Sequence, residues 1–136
     1  MADGDSTHPL PPTSVPIVSV RGILLVAIEG ELHDRAAISM HDAVAERLEH
    51  SNSRGVVIDV SAIPVIDTFI ARMLISIAKS ARLLGAVAVV VGIRPAVAMT
   101  LVELGMSLDG VATARDVDSG MALIERERGG ASRSRS

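Results

Sequence analysis

The sequence predicts one α/β domain: a mostly parallel sheet, opened by an antiparallel hairpin, with four helices packed on it. Three observations carry that expectation. Two β-rich runs, Ile17 to Val20 and Ile23 to Ile28, are separated only by Arg21-Gly22, the short glycine-containing gap of a hairpin. Two later runs, Val56 to Val60 and Ala86 to Val91, are apolar at almost every position, as parallel strands covered on both faces require. Segments of helical periodicity alternate with these runs, and strict β-α alternation implies right-handed crossovers.

In chain order, Asp34 can cap a first helix whose apolar stripe is Ala37, Met40, Val44 and Leu48, with His41, Glu46, Arg47 and His50 off it. The strand Val56 to Val60 follows, and Asp59 inside it is expected as a satisfied polar group near the strand end. A second helix is expected from Thr68 to Leu84, with Ile70, Leu74, Ile77, Ala81 and Leu84 at spacings of three and four and Gly85 placed to end it. After the strand Ala86 to Val91, Gly92-Ile93-Arg94-Pro95 leads into a third helix that Pro95 suits at its first position and Gly105 stops. A short extended piece, Val111 to Ala114, precedes a last helix capped by Asp116, with Val117, Met121 and Ile124 on one side. The proline-rich residues 1–15 are expected to be a disordered arm, residues 16–128 the folded domain, and the serine- and arginine-rich residues 129–136 a disordered tail.

At 136 residues the chain suits one domain with one core. A net charge of -3, a pI of about 5.7 and a single aromatic residue, Phe69, argue against nucleic-acid binding, which draws on basic surface and stacking rings. With no cysteine there are no disulfides, thiolate metal sites or thiol nucleophiles, which fits a cytoplasmic location. Neither apolar run, Ile23 to Ile28 or Ala86 to Val91, approaches the roughly 20 residues that span a bilayer. The mean hydropathy of +0.43 is high for a small domain and suggests apolar surface covered by partner subunits.

In open α/β sheets, functional groups gather beyond the carboxyl ends of the parallel strands. Three loops qualify: Glu29 to Asp34, Pro64 to Thr68, and Gly92 to Pro95. In the second, Thr68 stands at a helix start, where the dipole and free N–H groups would stabilise an added phosphate of roughly -1.5 to -2 charges. The same spacing also fits Asp67 or Thr68 as a plain N-cap. The acidic loop containing Glu31 and Asp34 has no second ligand cluster, and His33 and His41 lack an HExxH pattern, so no metal site is expected. Thr100, inside a helix, reads as packing or as a hydroxyl bonded back to its own helix. GxSxG, GxGxxG and GxxxxGK[ST] are all missing, so neither an enzyme nor a cofactor is expected.

Three segments together resemble the STAS-domain antagonists of bacterial stressosomes, the RsbS-like family. They are Gly55-Val56-Val57-Ile58-Asp59, Ile66-Asp67-Thr68-Phe69-Ile70-Ala71, and the stretch from Gly92-Ile93-Arg94-Pro95 to Leu104-Gly105. The resemblance runs in order over nearly all of Pro16 to Glu127. It implies the STAS fold and a non-catalytic scaffold or anti-sigma-factor antagonist acting in the stress response. Implied partners are an RsbT-like switch serine/threonine kinase, released on phosphorylation, and RsbR-like STAS paralogues with which the chain self-associates in a large assembly. The resemblance places the family's phospho-acceptor serine at Thr68, a threonine here, and a secondary acceptor of the RsbR-like paralogues at Thr100. The partner-binding surface is expected to include Glu31, Asp34, Asp67, Thr68 and Arg94. A simple anti-anti-sigma factor, pairing one-to-one with an anti-sigma kinase, is the alternative; a particle or a monomer on sizing separates the two.

Overall fold

The computed structural model describes the backbone of residues 17–29, 34–106 and 111–135, and the side chains of 17–28, 38–106 and 111–127. The strands are β1 (Ile17–Val20), β2 (Ile23–Glu29), β3 (Gly55–Ala62), β4 (Val87–Val91) and β5 (Ala112–Ala114). The helices are α1 (Asp34–His50), α2 (Thr68–Leu83), α3 (Pro95–Glu103) and α4 (Val117–Arg135). The strands form one sheet in the order β1-β2-β3-β4-β5. β1 and β2 are antiparallel, while β2–β3, β3–β4 and β4–β5 are parallel. Arg21 and Gly22 turn the hairpin with φ of 52° and 77°. Positive φ at both positions is the two-residue turn whose twist matches its flanking strands.

Alternation along the strands divides the core between the two faces of the sheet. Leu24, Val26, Val56, Ile58 and Val90 point to one face, where they meet Met40, Val44 and Leu48 of α1, Leu74 and Ile77 of α2, and Val97 and Leu101 of α3. Ile23, Val57, Val89 and Val91 point to the other and meet Met121 and Ile124 of α4. Each fully buried aliphatic side chain contributes roughly 1.5–3 kcal/mol through removal from water. The second face has one helix, and beside it a groove of about 280 Å³, lined in part by Val18, Leu25 and Val57, stays open over β1 and β2.

Helix ends follow local chemistry. Both α2 and α3 close with a glycine at φ of 85° (Gly85) and 69° (Gly105). In each, paired N–H groups return to the last turn: Gly85 to Arg82 and Ala86 to Ala81, then Gly105 to Val102 and Met106 to Leu101, at 2.8–3.1 Å. The α2 turn carries Leu84 out of the expected core stripe, leaving it 48% exposed. At the start of α4, Asp116 accepts from the backbone N–H of Ser119 at 2.8 Å. That bond, the Ser119 hydroxyl and nearby Arg115 hold its carboxyl below the usual aspartate range. The backbone of α4 continues to Arg135; once a helix is nucleated, each added residue gains a hydrogen bond. Residues 1–15 lie outside the described residues.

Candidate functional site

Because β2, β3 and β4 are parallel neighbours, the loops leaving their carboxyl ends share one edge of the sheet. Residues 30–33, including Glu31 and His33, lie outside the described residues. Asp34 is the first residue of α1, and its side chain is likewise not described.

The middle loop is pinned at both ends and free between. Ile63 and Ile66 are each 3% exposed and anchored in the core, and the Ile63 N–H bonds the Val60 carbonyl at 3.0 Å. Pro64, Val65 and Asp67 are exposed, Val65 to 76%. An apolar loop residue reads locally as another core anchor, so Val65 was not picked out among the candidate surface residues. Asp67 is the N-cap of α2: its Oδ1 accepts from the Ile70 N–H at 2.9 Å, and its carbonyl accepts from Ala71 at 3.0 Å. Thr68 is therefore the first helical residue, half-buried, beside a carboxylate that is already engaged. Helix geometry leaves the first N–H groups, those of Thr68 and Phe69, without intrahelical acceptors.

A second device, for which the sequence offered only Asp59 as a satisfied polar group, ties the third loop to β3. The register of β2 against β3 shifts between Ala27–Asp59 and Glu29–Ala62, which inserts one extra residue in β3. Asp59 Oδ1 accepts from the Ser61 N–H at 2.9 Å and holds that irregularity. Gly92, at φ 77°, lies over it: a Cβ there would come within 2.8 Å of the Ser61 Cβ and 3.0 Å of Asp59 Oδ1. The Gly92 N–H bonds the Ala114 carbonyl at 3.3 Å, so the loop also joins the end of β5. Arg94, two residues on, is exposed at the N-terminus of α3, on the same sheet edge as Thr68.

Thr100 lies inside α3, half-buried, and its hydroxyl donates to the Ala96 carbonyl at 3.0 Å. It is the back-bonded hydroxyl that its helical position suggests. His41 is half-buried between α1 and α2, with Nε2 3.1 Å from Ser80 Oγ. Among the described residues no group of His, Asp and Glu could hold a metal ion, and no helix is long and apolar enough to cross a membrane.

The STAS domain family matches residues 14–119. The chain is 29% identical over 110 residues to the RsbT co-antagonist protein RsbRD of Bacillus subtilis, an alignment covering 80% of this chain and 40% of that protein. The chain thus spans well under half the length of that curated relative. Among solved structures it is similar to a substituted RsbS of Moorella thermoacetica, with 39% identity and a TM-score of 0.76 over 84% of this chain and 97% of that one. It is also similar to a chain from the stressosome, a signal integration and transduction hub, with 40% identity and a TM-score of 0.74 over 83% of this chain and 98% of that one.

Proposed function

The chain belongs to the STAS-domain family, in its RsbS-like stressosome group, and from that premise we propose that it is a non-catalytic cytoplasmic scaffold that holds an RsbT-like switch kinase until Thr68 is phosphorylated. The observation that carries the reading is the position of Thr68: first residue of α2, on a loop pinned by two buried isoleucines, beside an exposed valine and a capping carboxylate. A kinase docked on Val65, Asp67 and Arg94 meets an apolar contact flanked by both signs of charge. A phosphate on Thr68 adds roughly -1.5 to -2 charges beside Asp67. The helix N-terminus favours that charge, so α2 tolerates it, while the docked surface becomes net negative. Release of the kinase follows from the altered surface and needs no refolding.

RsbR-like STAS paralogues are the proposed assembly partners, since the curated relative RsbRD carries the RsbT co-antagonist name. Thr100 is the weaker acceptor: its hydroxyl proton is already given to Ala96, and it lies inside a helix rather than at its start.

Incubation with the cognate switch kinase and ATP tests the assignment. The native chain and Thr100→Ala are expected to take up phosphate, and Thr68→Ala to lose most of it. Equal labelling of Thr68→Ala would place the acceptor elsewhere and remove the basis of this reading.

A further inference from the structure

The sheet face that carries α4 is covered only in part. The groove of about 280 Å³ over β1 and β2 is lined by Val18, Leu25, Ala27 and Val57, with Val117 of α4 and Asp59 completing its wall. Val18 is 54% exposed, and Leu25 and Ala27 are half-buried, although their neighbour Val57 is fully buried. Apart from Asp59 the lining side chains are all aliphatic. The Asp59 carboxylate accepts from the Ser61 N–H through Oδ1, its one side-chain bond among the described residues.

Residues 1–16 lie outside the described residues and lead directly into β1 at Ile17. The register pairs Ile17 with Val26 and Val18 with Leu25, and in the next strand Ala27 with Asp59. The preceding chain therefore enters the sheet at the rim of the groove. Residues 9–16 read Pro-Leu-Pro-Pro-Thr-Ser-Val-Pro, uncharged, and apolar apart from Thr13 and Ser14. Their prolines disfavour a helix and favour an extended polyproline II path, whose solvated backbone needs no ladder partner. Strands about 4.8 Å apart put β3 about 10 Å from β1. About four residues of polyproline II cover that span at about 3.1 Å each, and eight are present between Pro9 and Pro16.

We propose that residues 9–16 of this same chain fold back over the β1–β2 face and fill the groove. Leu10 seats against Val57 and Val117, and the Thr13 or Ser14 hydroxyl donates to the carboxylate oxygen of Asp59 that Ser61 leaves unused. A fatty acid or similar apolar anion fits less well, because its own carboxylate would meet Asp59 with no cation in the lining. A short tether holds the arm at an effective concentration on the order of millimolar, which the arm of a second copy would have to exceed. The seat lies on the sheet face opposite α1, α2 and α3, and it does not depend on the kinase reading.

The chain has no cysteine, so Thr7→Cys accepts a single nitroxide label in the otherwise complete protein. In methyl NMR of the labelled chain, the Leu25, Val57 and Val117 signals are expected to lose most of their intensity. Val102, exposed on α3 across the sheet, is expected to keep its own. Adding Leu10→Ser is expected to restore most of the signal at Val57 and Val117, because the tether remains while its apolar contact is gone. An equimolar mixture of nitroxide-labelled chain and isotope-labelled native chain is expected to show no selective loss. Equal intensities at Val57 and Val102 in the labelled chain, as would follow if the groove held a small apolar ligand instead, overturn the proposal. So does the same loss with Leu10→Ser in place, or a loss at the groove in the mixture, which would seat the arm of another copy there.

Discussion

Asp67 carries two demands that pull in different directions. Its carboxylate caps α2 through the Ile70 N–H, and the same charge sits next to the hydroxyl proposed to receive a phosphate. Asp67→Ala is expected to cost about 1 kcal/mol in denaturant unfolding, the usual loss for a capping side chain. Asp67→Asn keeps an acceptor for Ile70 and is expected to cost less than half as much. Equal losses would mean that the charge, rather than the cap bond, stabilises the helix start. A helix start at Thr68 was legible in the chain, because a short polar pair before a periodic apolar stripe marks an N-terminus wherever it occurs; that Asp67 rather than Thr68 is the cap came from the structure. The exposure of Val65 was not legible. Ile63 and Ile66 on either side are buried, and nothing in three neighbouring aliphatic residues tells which of them the fold turns outward.

Among the elements, α4 shows how far packing overrides propensity. Gly120 sits in its second turn, where alanine is intrinsically the better helix former by about 1 kcal/mol. A Cβ at Gly120, however, would stand 2.7 Å from Val91 Cγ1, and one at Gly55 would stand 2.7 Å from the Val87 carbonyl and 2.8 Å from Ile124 Cγ2. The two glycines let α4 lie close on β3 and β4. Gly120→Ala is therefore expected to destabilise by about 1–3 kcal/mol, the usual cost of overfilling a packed contact. A rise in melting temperature for that variant would show that α4 can lift off the sheet freely. Leu84 teaches the same lesson at α2. Its spacing continued the apolar stripe, but the glycine turn closes the helix before it, and a stripe ends where its helix ends.

At the scale of the molecule, the sheet is covered unequally. Three helices shield one face and one helix part of the other. The candidate switch lies at the sheet edge beyond β2, β3 and β4. Mixing with an RsbR-like STAS paralogue is expected to yield a particle many times the 14.2 kDa mass of the chain by light scattering. A complex that never exceeds one copy of each protein would favour one-to-one antagonism over the scaffold. By itself, the sequence determined the identity and order of strands and helices, the hairpin turn and the polar caps that start α2 and α4, because periodicity and turn chemistry act over a few neighbouring residues; Asp34, expected as a cap, is the first residue of α1. Tertiary structure alone decided which loops share an edge, why Gly92 and Gly120 must lack side chains, and how His41 comes to Ser76 and Ser80. Those facts depend on atoms distant in the chain, and no local pattern encodes where such atoms meet.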